Sequence, residues 1–401
     1  MKCPNNPEIT FSMKSRCQFS FLVICILLIG TQQNTQAQSD LPRCELRPHL
    51  IDPPWVNATY YCAELVIHDE SGGEMGFTAL AAAPDGTLYA TRPLSGEVFA
   101  LEDADEDGLP ESPHTVAQGL TLPNGLIYYN DALYISGGSH VYKLAGQHLE
   151  TLVSDLPTGA AFWTGGIAVG QDKRLYVAIG AECDACEETQ KDRGTILSFA
   201  LDGSDRQVVA TGLRQPNDLA FQGDTLWTVD TARDDLPYTS NYDELNRVGA
   251  SVNFGWPYCL GKENTSDTIN ASFDCIKVTA PALTFPTHSN PLGIVAYSGE
   301  AFPHLKGQLL LTMGGTTGQS YLNGYTLVTV GFDSVGNPLE PHIILPEIPG
   351  ENPQWANINL QKMHYQASGF WQHHPYDVTI SGEGWIYISL GGGTIWALRP
   401  R

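Results

Sequence analysis

The segment Asp103-x-Asp105-x-Asp107-Gly108-x-x-Glu111 places carboxylates at alternate positions, followed by a glycine. Carboxylates at positions 1, 3 and 5 of a loop, with glycine at 6, are how a chain wraps one hard cation in oxygen ligands. His114 stands where a full calcium loop would carry its bidentate glutamate, so this is the first half of such a loop. An acidic hairpin turn is the plainer reading of the same residues. A second acidic stretch, Asp234-Asp235 and then Asp243-Glu244, offers the same oxygen chemistry, against the ordinary abundance of aspartate in surface loops. Two histidine positions could do chemistry, the first as a base near neutral pH and the second as a metal or ligand contact. One is His288 in Thr287-His288-Ser289-Asn290-Pro291, and the other is the pair His373-His374 before Pro375. A loop histidine bonded to backbone explains either one without any chemistry.

The cysteines point to a compartment. Three of the nine, Cys3, Cys17 and Cys25, fall in an N-terminal stretch that reads as an export signal. There, Lys14 and Arg16 precede the apolar run Phe21–Gly30, and small and polar residues follow up to Ala37. Ten apolar residues are too few to span a bilayer as a mature helix. The expectation is a cleaved signal over residues 1–37, secretion or periplasmic export, and no stable membrane insertion afterwards. Cys44, Cys62, Cys183, Cys186, Cys259 and Cys275 remain, an even number suited to disulfides in an oxidising compartment. Proximity in sequence favours Cys44–Cys62, Cys183–Cys186 and Cys259–Cys275 among the 15 pairings that six cysteines allow. The lone Cys183-x-x-Cys186 has no second partner pair to complete a zinc site.

Something must position these groups, and composition bounds what it is. The 401 residues carry 44 acidic against 21 basic side chains, a net charge of -23. That sign repels phosphate backbones and argues against nucleic acid as a partner. A charged share of 16% and a hydrophobic share of 42% exclude a disordered chain. Gly 40 and Pro 26 make it rich in turns.

One unit recurs: an apolar alternation, a polar turn, then an apolar, an aromatic, a β-branched and a small residue. It is found at Leu80-AAAPDGTLYAT, Leu126-IYYNDALYIS, Ile167-AVGQDKRLYVAIG, Leu219-AFQGDTLWTVD and Val378-TISGEGWIYISLGGG, with a looser copy from Leu292. Each copy joins two runs of period-two alternation, which is a hairpin signal. Several copies continue into a third strand, as at Gly96-EVFAL and Gly194-TILSFAL. Repeats of about 40 to 50 residues worth three or four strands each are propeller blades. The sequence predicts an all-β fold, a six-bladed β-propeller of four-stranded antiparallel blades. Two β-sandwiches are the runner-up. The predicted layout is the signal over 1–37, an N-terminal extension with Cys44 and Cys62 over 38–75, and the propeller over 76–401. Two insertions, roughly 231–290 and 330–375, are candidate walls of a site at one mouth of the channel.

Gly212-LRQPNDLAF, LWTVDTARDDLP, Asp243-ELNRVGASVNFGWPYC, His288-SNPLGI and Pro375-YDVTISGEGWIYIS together resemble the soluble pyrroloquinoline-quinone (PQQ) glucose/sorbosone dehydrogenase family. The resemblance runs from about residue 76 to the end. It implies a six-bladed propeller that oxidises an aldose at the channel mouth, with calcium holding the quinone. Carried over position by position, it implies cofactor contacts at Arg214 and Gln215, where the family has an Arg-Asn pair. It implies calcium-binding backbone near Ala232 and Arg233, a structural calcium ligand at Glu244 beside Asp243, and a quinone contact at His374. The family's catalytic histidine aligns with Phe162, and a phenyl ring cannot take a proton from a sugar hydroxyl. His288 is then the one candidate base.

Three functions are compatible with these residues. The first is a secreted PQQ- and calcium-dependent sugar dehydrogenase. The second is a calcium-dependent lactonase of the gluconolactonase type, whose Pro-Asn-Asp resembles Pro216-Asn217-Asp218 and whose metal-activated water would attack the lactone. The third is a non-catalytic propeller that binds a sugar, a glycan or a protein, with Trp163, Trp256 and Trp371 as stacking candidates.

Overall fold

Each polar turn between two alternating runs becomes the tip of a hairpin. Asn130 and Asp131, for example, take φ of 49° and 58°. A two-residue type I′ turn requires that geometry, and short polar residues tolerate it. The structure, a computed structural model, describes residues 41–51, 56–57, 59–159, 161–237, 239–264, 273–315, 323–346, 370 and 373–401. The expected signal over 1–37 and Trp371 lie outside the described residues. Contacts divide the chain into two units, Met1–Arg47 and Pro48–Arg401. The described part of the first holds one 3-10 turn, Cys44–Leu46. Among the described residues, every strand belongs to the second unit.

Apart from a two-stranded hairpin, Cys259–Leu260 with Glu263–Asn264, the strands of that unit form six four-stranded antiparallel blades, with one short parallel strand added to the third. Blade 1 is Leu80–Ala82, Leu88–Arg92, Glu97–Glu102 and Ser112–Ala117. Blade 2 is Pro123–Tyr129, Ala132–Gly137, His140–Ala145 and His148–Val153. Blade 3 is Thr164–Val169, Arg174–Ile179, Thr195–Ala200 and Gln207–Thr211, with Val252–Asn253 alongside. Blade 4 is Pro216–Gln222, Thr225–Asp230, Asp243–Val248 and Leu283–Phe285. Blade 5 is Pro291–Ala296, Leu309–Met313, Thr326–Val330 and His342–Leu345. Blade 6 is Pro375–Ile380, Ile386–Leu390, Thr394–Pro400 and Tyr61–His68. The first-named strands of blades 1 to 5, with Pro375–Ile380 of blade 6, each touch the next around a closed ring. This is the six-bladed propeller that the repeats predict.

The boundary at residue 76 shifts. Tyr61–His68, within the stretch read as an extension, is the outer strand of blade 6 and pairs with Thr394–Pro400. Joining the chain's beginning to its end covers the open edge of the last blade, and local sequence carries no signal for a partner so distant. The insertion over 231–290 likewise supplies two strands of blade 4.

The alternation fills the spaces between blades. Leu175, Val177 and Ile179 of blade 3 pack on Ala132, Tyr134 and Val141 of blade 2, all at most 3% exposed. At the channel the packing turns polar. The small residue that ends the repeat is Thr91, Ser136, Thr312 or Ser389 in four blades, each fully buried. Three of these hydroxyls donate to the neighbouring blade's innermost chain: Ser136 to the Gly165 carbonyl at 2.7 Å, Thr312 to Tyr376 at 3.1 Å and Ser389 to Thr78 at 2.5 Å. The strands that carry Gly165 and Tyr376 bulge near their beginnings, so carbonyls there lack a ladder partner and a hydroxyl satisfies them.

Cys183–Cys186 and Cys259–Cys275 are disulfides. Cys44 belongs to the first unit and Cys62 to the second.

Candidate functional site

Where the innermost strands begin, their flanking residues enclose a cavity of about 350 Å³. Asn124, Trp163, Gln215, Asn217, Leu292 and Tyr376 contribute from blades 2 to 6, with Phe162, Asn290, His374 and Met75 at the rim. A second cavity of about 390 Å³ continues down the channel between the innermost strands. Asn124, Asn217, Leu292 and Tyr376 line both.

The amides of the mouth are oriented. Asn217 Nδ2 donates to Thr231 Oγ1 at 2.9 Å and to the Pro291 carbonyl at 2.7 Å, which turns its own Oδ1 the other way. Thr231 Oγ1 in turn donates to Asn290 Oδ1 at 3.1 Å, which fixes that amide with its Nδ2 as the outward donor. An amide acceptor and an amide donor lining one cavity suit a hydroxyl, which both gives and takes a hydrogen bond. His374 Nδ1 donates to the Gly314 carbonyl at 2.7 Å, and its ring stacks on Tyr325 with centroids 5.0 Å apart.

Of the expected cofactor contacts, Gln215 and His374 line this mouth and three others do not. Arg214, Ala232 and Arg233 face a separate cavity of about 30 Å³ behind it, together with Asp230, Tyr242 and Glu244. Arg233 is paired with Asp235, Nε to Oδ1 at 2.9 Å. His288 is buried, and its Nε2 donates to the Leu236 carbonyl at 2.7 Å, so this expected base serves as a loop tether. The mouth-lining residues present, among those described, no lysine or arginine. PQQ carries three carboxylates, for which cationic side chains are the natural partners. The described residues do not fit it, and Phe162 offers no basic atom.

Oxygen-rich sites for a cation fare better. Behind the mouth, Asp230 and Glu244 face each other across adjacent strands. Burial, and then the Asp230 charge, push the Glu244 carboxyl up to about 8. Burial also holds Asp230 at about 6. A hard cation in the space beside them would favour the ionised forms. Asp243, expected to share this role, is engaged otherwise. Its Oδ1 accepts the Ala232 amide at 2.9 Å and its Oδ2 the Asn290 amide at 2.8 Å, which pins the blade 4 loop to the entry of blade 5. In the other acidic segment, carboxylate oxygens of Asp103, Asp105, Asp107 and Glu111 lie within 4.8 Å of one another. Asp107 Oδ2 and Glu111 Oε2 there are buried without a hydrogen-bond partner. This donor set fits calcium, with Glu111 in the place of the missing twelfth-position glutamate.

Two carboxylates sit in the channel wall, Asp218 of the Pro-Asn-Asp motif and Asp377, which sequence reasoning left aside. Asp218 Oδ2 accepts the Ile294 amide at 2.9 Å and Asp377 Oδ2 the Leu80 amide at 2.7 Å, so each ties its blade to the next. Burial raises Asp377 to about 7, and burial together with the Asp377 charge raises Asp218 well above its ordinary value. Their signal was the shared Pro-x-Asp of Pro216-Asn217-Asp218 and Pro375-Tyr376-Asp377.

Residues 139–323, from the outer half of blade 2 through the inner half of blade 5, match the family model described as Glucose / Sorbosone dehydrogenase. Over that part of the chain, the match bears out the resemblance read from the sequence. An uncharacterized protein of Borreliella burgdorferi is 25% identical over 244 residues, 55% of this chain and 64% of that relative. The match therefore spans less than two thirds of that relative's length. The calcium structure of a Trichoderma reesei carbohydrate-active enzyme of family AA12 superposes with a TM-score of 0.68 at 18% identity, covering 89% of this chain and 98% of that one. The PQQ-bound aldose sugar dehydrogenase of Streptomyces coelicolor gives 0.56 at 17%, covering 86% and 99%. At these identities the likeness is one of fold.

Proposed function

We propose that this chain is an exported, sugar-binding propeller of the glucose/sorbosone dehydrogenase type that takes a neutral sugar or glycan end at the channel mouth. The observation that carries this reading is the composition of the mouth. Oriented amides from Asn217 and Asn290 stand beside the aromatic rings of Trp163, Phe162 and Tyr376. Amides match sugar hydroxyls, while aromatic faces cover the apolar faces of the sugar ring. Calcium at the Asp103–Glu111 loop and beside Glu244 is structural in this proposal. Titration of the purified protein with a panel of aldoses and neutral oligosaccharides, followed by calorimetry and by tryptophan fluorescence, tests it. Absence of binding across the panel would refute it.

A second reading, PQQ- and calcium-dependent oxidation of an aldose, is favoured by Gln215 and His374 facing the same cavity. The missing cations and Phe162 weigh against it. Dye reduction with the aldose panel, after incubation with PQQ and calcium, separates it from binding alone.

A further inference from the structure

The strongest cation near the mouth is hidden from it. Arg214 lies against Phe162, its guanidinium carbon 4.3 Å from the ring centroid, and its side chain is 3% exposed. All of its nitrogens are engaged. Nε donates to Asp184 Oδ1 at 3.1 Å, and Nη2 donates to that same oxygen and to Asp234 Oδ1 at 3.0 Å. Nη1 donates to the Thr231 carbonyl at 2.9 Å. Phe162 lines the mouth, whereas Arg214 lines the small cavity behind it. The ring is the partition between them.

The partition is itself held from three sides. Asp184 stands inside the Cys183–Cys186 loop, and its Oδ1 also accepts the Asp234 amide at 3.2 Å, so the disulfide loop clamps both the arginine and the neighbouring chain. Arg193, 5% exposed, donates from Nη1 to the Phe162 carbonyl at 3.3 Å. Gly180 lets the backbone of Phe162 and Trp163 approach closely, since a methyl there would stand 2.5 Å from Phe162 Cβ.

We propose that Phe162, seated on Arg214 by Asp184 and the disulfide loop, is a seal that withholds the guanidinium from the mouth and makes the mouth discriminate against carboxylate ligands. The physics is competition. A carboxylate entering the mouth would have to displace a ring in cation–π contact and two carboxylates already paired with the arginine. Outside the seal, the charge of -23 disfavours anions further. A neutral sugar meets neither barrier. The inference goes beyond the sugar-binding proposal, because it concerns which ligands are refused.

The test is equilibrium binding of two probes, citrate and PQQ, to the full chain at low and high salt. The wild type and Phe162→Leu, which keeps an apolar partition, are expected to bind neither probe at submillimolar concentration. Phe162→Ala opens the partition and should gain at least about tenfold in carboxylate affinity. That gain should disappear in high salt and in Phe162→Ala/Arg214→Gln. Asp184→Ala loosens the same clamp from its solvent side, and is expected to give a gain of the same sign even if Phe162→Ala proves too unstable to study. Salt-sensitive binding of either probe by the wild type overturns the proposal. So does a folded Phe162→Ala or Asp184→Ala that gains nothing. Failure of neutral sugars to bind refutes the proposed function and leaves this result standing.

Discussion

Glu64 and Arg399 form a bidentate ion pair across the seam where the ring closes. Arg399 Nε donates to Oε1 at 2.9 Å and Nη2 to Oε2 at 2.5 Å, with the two side chains 0% and 2% exposed. The residues are 335 positions apart in sequence. Arg399 also donates from Nη1 to the Asp107 carbonyl at 2.9 Å, so the seam is tied to the acidic loop of blade 1.

Breaking this pair on one side leaves a buried guanidinium uncompensated. Glu64→Gln should cost about 3–5 kcal/mol, read as a lower midpoint in denaturant with an unchanged slope. Glu64→Leu combined with Arg399→Met should recover much of that loss, because the desolvation of both charges is removed together. A Glu64→Gln protein as stable as the wild type would mean that the strand pairing alone closes the ring.

Stability should fall with rising pH across the mildly acidic range. Asp377 is raised from 3.8 to about 7 by burial, and Asp218 is raised as well. Between those values the folded chain holds protons that the unfolded chain has released, so folding weakens as pH climbs from about 4 to 7, and Glu244, raised to about 8, carries the fall slightly further. Asp69 works the other way, since Arg92 holds it at about 2, and its contribution is lost as pH falls from 3.8 toward 2. Thermal melts should therefore peak near pH 4 to 5, and Asp377→Asn should flatten the fall above the peak. A curve that rises monotonically to pH 7 would contradict this.

Chelation should lower the melting temperature, and calcium should restore it. At free calcium 100 times the dissociation constant, the stabilisation is about 2.7 kcal/mol for one site. Asp105→Asn with Asp107→Asn should remove the part owed to the blade 1 loop, and Glu244→Gln the part owed to the cavity behind the mouth. Magnesium should substitute poorly, because it demands a tighter octahedral shell. Indifference to chelator in both the wild type and the variants would count against both sites.

At the mouth, Trp163→Ala should weaken sugar binding by about tenfold, near 1.4 kcal/mol, while leaving the melting temperature close to that of the wild type. Gly180→Ala should do similar damage indirectly. Its methyl would stand 2.5 Å from Phe162 Cβ and 3.0 Å from the Trp163 carbonyl, displacing both rings from the cavity wall. Calorimetric titration of both variants against the best-binding sugar decides the matter.

The blades were legible in the chain because their signals are local. Period-two alternation, a polar turn and a small residue recur within short spans, and each repeat fixes its own hairpin. The short disulfides were legible for the same reason, as was the oxygen-rich loop from Asp103 to Glu111, whose ligands lie within nine residues. What sequence could not supply was every relationship that depends on the ring. Tyr61–His68 falls in the stretch read as an extension until it meets Thr394–Pro400. Asp218 and Asp377 look like turn or loop carboxylates until each reaches an amide on the next blade. Arg214 carries a family motif in its local sequence. Whether it faces the mouth depends on Phe162 and Asp184, which come from another blade and its disulfide loop. Local chemistry chooses a strand or a turn, whereas closing six blades into a ring decides which side chains share a cavity and which are walled off from it.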